Sequence, residues 1–215
     1  SPGLFSPSAQ WNGSQRYTVL YGQGVSITAI QAAMVYQTIA NKGLRMPPTL
    51  IDAIAEEDGE MVATPRAEGV RVVSPESAMT LSAMLEGVVS KDGTAPEAQI
   101  DGYRVAGKTG TAKRYNEKTK GYTGYTSSFI GYAPAEDPRI VVSVIIQDPQ
   151  NGYYGGVVAA PVFRDVMTYA LQSLKIAPSP AGSQPPAMPL KLDSPPDIND
   201  PAVLADRRAI GSGTG

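Results

Sequence analysis

Between Ser127 and Pro149 the sequence reads SSFIGYAP, AEDP, RIVVSVIIQDP, two apolar strand-like runs joined by a four-residue polar turn. A turn that short reverses the chain, because parallel neighbours need a crossover of about a dozen residues or more. The two runs are therefore predicted as antiparallel partners, and any strand added to them joins a sheet of that kind. The second run, IVVSVIIQ at 140–147, has the length of a buried strand. It falls far short of the roughly 20 apolar residues that span a bilayer.

This constraint decides the reading of an ambiguous stretch just upstream, GYRVAGKTGTAKRY at 102–115. Gly102 to Thr109 satisfy the phosphate-cradling pattern G-x-x-x-x-G-K-[ST]. A phosphate loop needs a buried strand before it and a helix opening at the Gly-Lys-Thr, with the helix N-terminus turned to the phosphates. Here Tyr103-Arg104-Val105-Ala106 lies inside the would-be loop yet alternates like a strand. Thr109, Gly110, Thr111, Gly121 and Gly124 are poor helix material. Asp148, at the end of VIIQD, mimics a metal-binding aspartate but belongs to the hairpin, where it is expected to cap a turn before Pro149. Residues 103–111 are predicted as extended chain, the first of three antiparallel strands.

Helices flank this sheet. One is predicted from about Ala29 to Lys42, with Thr28 and Gln31 in a capping-box pattern and Gly43 at the left-handed C-terminal position. Ile30, Ala33, Met34, Ile39 and Ala40 form its expected core face. A second starts at Ser74-Pro75, Ser74 as N-cap and Pro75 in the first helical position, and runs to Val89. A third runs from about Ala160 to Leu174. TLIDAIA and GVRVVS read as two short strands about the turn EEDGE, and SPGLFSPSAQWNGSQRY as irregular loop. Met34, Met79, Met84 and Met167 sit at helical spacings as core residues. KRYNEKTK at 113–120 reads as a solvated hairpin tip. The fold class is α/β in content and α+β in arrangement, an antiparallel sheet flanked by helices. The organisation is a domain over 1–177 and a Pro-rich disordered tail over 178–215, too poor in apolar residues to offset its ordering entropy.

Composition removes several functions. The chain has 215 residues, 42% of them hydrophobic, enough for one sizeable core. A net charge of −2 without a basic stripe gives nucleic acid no electrostatic footprint. There is no histidine and no cysteine, so His triads, thiol nucleophiles, disulfides and zinc–thiolate sites are excluded. Lysine, carboxylates and tyrosine remain for acid–base work.

Lys108-Thr109-Gly110-Thr111, preceded by GYRVAG and followed by Ala112, resembles the third active-site motif of the penicillin-binding transpeptidases. YGQGVSITAIQAAMVYQTIANKG at 21–43 resembles the segment between their second and third motifs. SSFIGYAP and DPQNGYYGGVVAAPVFRDVM resemble their closing strands and last helix, most closely those of the class B, cell-division (penicillin-binding protein 3) type. The resemblance covers about Ser1 to Leu174. It implies the serine β-lactamase/transpeptidase-like fold and D,D-transpeptidase chemistry on peptidoglycan stem peptides, through a serine acyl-enzyme that β-lactam antibiotics also form.

The resemblance implies that Lys108 lends positive charge and helps move protons. It also implies that Thr109 and Thr111 offer hydroxyls to the substrate carboxylate, with the Thr111 N–H as half of the oxyanion hole. Gly110 leaves room for close approach. Tyr122, Tyr125, Tyr153 and Tyr154 are read as rim residues of loops. No cofactor or metal is implied. The implied partners are divisome proteins, including a SEDS-type glycosyltransferase, at the outer side of a bacterial cell membrane, with any anchor upstream. The family's Ser-x-x-Lys and Ser-x-Asn are absent from the 215 residues. The chain is therefore expected to be an incomplete, C-terminal part of a catalytic domain, inactive alone. A serine β-lactamase, a D,D-carboxypeptidase and a non-catalytic β-lactam sensor are the competing readings.

Overall fold

The computed structural model describes residues 3–116 and 118–183. Its first elements are small. Strand β1 (Leu4–Phe5) pairs antiparallel with β2 (Val25–Ser26), and one-turn helices, including α1 (Gln15–Thr18), fill the chain between them. This stretch, expected as irregular loop, thus holds a short two-strand clip.

Helix α2 (Ala29–Ala40) starts on the predicted capping box. The Gln31 N–H donates to Thr28 Oγ1 at 3.2 Å and the Thr28 N–H to Gln31 Oε1 at 2.9 Å. It ends where Gly43, at φ +83°, donates its N–H to the Thr38 carbonyl, a left-handed closure that a side chain would strain. The predicted face is half-buried except at its start. Ile30 is 59% exposed, while Tyr36, Ile39 and Ala40 pack on the sheet. The C-terminal half of α2 packs on the strands, Ala32 is buried earlier in the helix, and Ile30 in its first turn stays largely exposed.

Strands β3 (Leu44–Arg45), β4 (Ala53–Ala55), β5 (Met61–Ala63) and β6 (Val70–Arg71) follow. Both predicted strands form, but β5, which the sequence reading did not mark, lies between them: β4 pairs with β5, and β6 pairs with β3. The turn returns the chain at once, so the three residues after it take the partner's place before Pro65 interrupts the strand. Helix α3 (Pro75–Val89) has the predicted Ser74 cap, whose hydroxyl accepts the Ser77 N–H at 3.2 Å. Met79 on this helix is 52% exposed, contrary to expectation, whereas Met167 is fully buried.

The main sheet is β7 (Ala106–Asn116), β8 (Gly121–Ala133) and β9 (Ile140–Gln147), antiparallel throughout, in the order β7-β8-β9. Lys108 stands opposite Ile130 and Gly110 opposite Ser128. Helices α4 (Gly155–Val158) and α5 (Ala160–Ser173) cover one face, where Phe129 and Phe163 meet with ring centroids 4.6 Å apart. Val105, Ala133, Met167 and Leu171 complete that core. The other face buries Ala106 and Tyr132 under α2 and α3. The Tyr132 hydroxyl donates to Ser82 Oγ at 2.7 Å, and burial pushes its phenol up to about 12.

One ion pair ties α3 to the entry of β7. The Arg104 guanidinium donates from Nε to Glu86 Oε2 at 2.8 Å and from an Nη to Oε1 at 2.7 Å, with the Glu86 side chain 4% exposed. This fork holds the Arg104 pKa above its ordinary value, through the bond to Glu86. The chain beyond 177 contributes here as well. The Arg104 N–H donates to Ser179 Oγ at 2.9 Å and the Ser179 N–H to the Gly102 carbonyl at 2.9 Å. Ser179, two residues past the expected boundary, therefore docks on the domain, because extended chain there can pair with backbone groups of 102–104. The remainder of the expected tail, 184–215, lies outside the described residues.

Two predictions follow from these contacts. Glu86→Gln leaves the guanidinium poorly paired and costs about 3–5 kcal/mol, the usual loss on breaking a buried pair. Urea unfolding of the polypeptide carrying this domain measures it, and a loss below about 1 kcal/mol would put the fork with ordinary surface pairs. Ending the chain after Ser183 leaves the melting temperature unchanged. Ending it after Ala177 lowers it, by removing the Ser179 bonds.

Candidate active site

Lys108, Thr109, Gly110 and Thr111 occupy the first half of β7, which among the described residues has a hydrogen-bonded strand on one side only. Alternation puts Lys108 on the face of α2 and α3, and Thr109 and Thr111 on the face of α4 and α5. The lysine nonetheless reaches round the free edge. Its Nζ donates to Thr109 Oγ1 at 2.9 Å and lies 3.3 Å from the Thr109 carbonyl oxygen. No carboxylate pairs with it among the described residues. Partial desolvation pulls its pKa below the ordinary lysine value.

Thr111 is fixed from the other side. Its Oγ1 accepts the Gly155 N–H at 3.1 Å. Gly155 can stand there only because it lacks a side chain. A Cβ would lie 2.4 Å from the Ser128 carbonyl oxygen and 2.5 Å from that of Gly110. Gly110 is equally confined, a Cβ meeting Ser128 Oγ at 2.4 Å. Buried Ser127 donates its hydroxyl to the Tyr153 carbonyl and so holds the loop that delivers Gly155.

The two threonine hydroxyls are consequently biased the same way. Each already accepts from a fixed N–H, a lysine ammonium for Thr109 and a backbone amide for Thr111. A hydroxyl has one proton and two lone pairs. Both therefore have a proton to offer, and with the lysine they form a cationic, donor-rich strip along an open strand edge. Such a strip suits a carboxylate, and an extended peptide could pair with the edge itself.

The tyrosines divide. Tyr125 stacks on Tyr153 at 4.3 Å and 15°, and Tyr153 tilts on Tyr154 at 4.4 Å, a cluster at the loop before α4. The bond to Tyr154 raises the Tyr153 phenol. Tyr122 meets Tyr115 edge-on at 5.6 Å, farther along the β7–β8 ribbon. Asp148 sits at φ +55° and its N–H donates to the Tyr125 carbonyl, ending β9 at the turn before Pro149. Sequence reasoning missed Gly155, Ser127 and Thr94, whose Oγ1 lies 3.3 Å from Thr109 Oγ1. Thr94 sits in a polar linker with no periodicity, and only the three-dimensional return of that linker brings it to β7.

With this geometry in hand, comparison with known proteins fixes the class. The penicillin binding protein transpeptidase domain model matches residues 2–168, and the chain belongs to that family. It is 41% identical over 195 residues to the penicillin-binding protein PbpB of Mycolicibacterium smegmatis, covering 86% of this chain and 30% of that protein. It is 36% identical over 177 residues to the peptidoglycan D,D-transpeptidase FtsI of Escherichia coli K12, covering 82% of this chain and 28% of that protein. Among solved structures it resembles penicillin binding protein 3 of Mycobacterium tuberculosis complexed with ampicillin. That match has a TM-score of 0.78 and 38% identity, over 86% of this chain and 43% of that one. The chain thus spans about a third of the curated relatives' length, and the α+β fold expected from sequence is theirs.

Gly155→Ala destabilises the domain by about 1–3 kcal/mol, the usual range for overpacking, because its new methyl meets backbone oxygens that cannot turn aside. Gly87→Ala in α3, where a Cβ meets nothing within 4 Å, stabilises by roughly 0.5–1 kcal/mol. Thermal unfolding of the two variants side by side checks both signs.

Proposed function

We propose that this chain is the sheet-and-third-motif part of a serine D,D-transpeptidase that cross-links peptidoglycan stem peptides and is acylated by β-lactams. The observation that carries the reading is the pair of threonine hydroxyls on the β7 edge, oriented by Lys108 Nζ and the Gly155 N–H to donate to an anion. The family membership and the relatives' name support it.

In the proposed reaction a serine hydroxyl attacks the carbonyl of the penultimate D-alanine. Its proton passes by way of a lysine to the departing D-alanine amine as the peptide bond breaks. The amine of a second stem then attacks the ester, forming the cross-link and returning the serine with its proton. Lys108, Thr109 and Thr111 hold the terminal carboxylate, and the Thr111 N–H stabilises the oxyanion. Losing one such donor costs about 2.7–4 kcal/mol in the transition state. Gly110 keeps the edge open for the stem. The 215 residues contain no Ser-x-x-Lys, so the nucleophile and its base are proposed to come from another segment of a longer polypeptide. The reading places the domain outside the cytoplasm, working in septal wall synthesis with divisome proteins such as a SEDS-type glycosyltransferase.

The test is labelling by a fluorescent penicillin. The longer polypeptide forms a long-lived covalent adduct, and Lys108→Gln slows its formation on the order of 100-fold, within the range of general acid–base contributions. Residues 1–215 alone form none. Rapid hydrolysis of the adduct would make the protein a β-lactamase, and unchanged labelling of Lys108→Gln would remove the lysine from the site.

A further inference from the structure

We infer that Thr94 is a positioning residue of the anion site, a third hydroxyl that sets the direction of the Thr109 proton. This rests on the reading of β7 as the edge that binds a substrate carboxylate.

Proton accounting leads to it. Thr109 Oγ1 accepts from Lys108 Nζ at 2.9 Å, so its own proton must go elsewhere. Among the described residues the acceptor in hydrogen-bonding reach is Thr94 Oγ1, at 3.3 Å, and either hydroxyl of that pair can be the donor. In the empty site Thr109 donates to Thr94. When a carboxylate accepts the Thr109 O–H hydrogen bond, Thr94 reverses and donates to the second lone pair of Thr109 Oγ1. That oxygen then accepts from an ammonium and a hydroxyl at once, which polarises its O–H toward the anion, since linked hydrogen bonds strengthen one another.

The backbone that presents Thr94 is held on three sides. Ala95, fully buried, donates its N–H to the Val88 carbonyl at the end of α3 at 3.0 Å. Gly93 packs so closely on α3 that a Cβ would lie 2.2 Å from the Val88 carbonyl oxygen. Gly156 closes on the other side, where a Cβ would lie 2.2 Å from the Thr94 carbonyl oxygen. The same α4 turn supplies the Gly155 N–H to Thr111. One short helical turn therefore anchors both hydroxyls that flank Thr109, which is why a residue fifteen positions upstream belongs to the site.

The experiment compares Thr94→Val, matched in shape, and Thr94→Ser, which keeps the hydroxyl, in the full polypeptide that carries this domain. The probes are a penicillin with its free carboxylate and the methyl ester of the same molecule. Thr94→Val lowers the second-order acylation rate for the free acid by about three- to tenfold, the worth of one neutral hydrogen bond. It leaves the slower ester reaction unaltered, and Thr94→Ser restores most of the loss. Equal loss with acid and ester would reduce Thr94 to a packing role and overturn the inference. Wild-type rates in Thr94→Val with the free acid would overturn it too. A wild-type polypeptide that neither probe acylates would instead remove the proposed function and this inference with it.

Discussion

Among the described residues strand β7 has a strand partner on one side and none on the other, and the candidate site depends on that asymmetry. Ten residues of β7 are paired with β8, from Ala106 opposite Tyr132 to Asn116 opposite Gly121. That ladder satisfies one edge and leaves the second with unused backbone donors and acceptors, the usual hazard of an edge strand and the usual means of capturing an extended peptide. The pairing also fixes which side chains share a face. A slip of one residue would send Lys108 to the side of α4 and strip Thr109 and Thr111 of their fixed donors. The Arg104–Glu86 fork guards against such a slip. It clamps the chain two residues before β7 to helix α3, with both carboxylate oxygens engaged.

Glycine enters this scheme as a means of close approach. Gly110 lies against the Ser128 side chain and Gly155 against two strand carbonyls. The missing β-carbon of Gly155 lets the α4 turn settle directly on the motif, while that of Gly110 makes room for Ser128 on the opposite face. Helix α5 then continues the same surface, and its Phe163 seals the sheet through Phe129. The hydroxyl geometry of the site is thus a by-product of core packing. Moving α5 would move Gly155, and with it the proton of Thr111.

Much of this was legible in the sequence because it is local. The four-residue turn AEDP fixed the sense of the β8–β9 pairing, and with it the extended reading of Lys108 over the phosphate-loop reading. Thr28 with Gln31 and Ser74 with Pro75 announced two helix starts through contacts three residues apart. What failed was non-local. Strand β5 and the β3–β6 pairing went unread, being set by where Pro65 and the EEDGE turn leave the chain. Ile30 and Met79 carry the right periodicity, yet each stays more than half exposed. The pairing of Ser179 with Gly102 and Arg104 joins positions more than seventy residues apart and has no sequence signature. Gly155 and Thr94 were hidden for the same reason, since a glycine and a linker threonine declare nothing until the fold brings them to Thr109 and Thr111.

On the proposed function, a chain without histidine or cysteine takes part in acyl transfer with weaker material, and the β7 edge is where that material is gathered. A threonine hydroxyl is neither a strong acid nor a strong base. Its usefulness lies in which of its three hydrogen-bonding positions are already taken. An ammonium saturates one and a backbone N–H another, without any need for either threonine to ionise. The field at the edge is therefore positive while the side chains that touch the ligand stay neutral. Neutral donors can be packed against a strand and a helical turn at little desolvation cost, whereas two further lysines there would repel one another and Lys108. Partial burial of the Lys108 ammonium follows from the same economy, since one cation, tucked against Thr109 and drawn below its usual pKa, serves a row of hydroxyls.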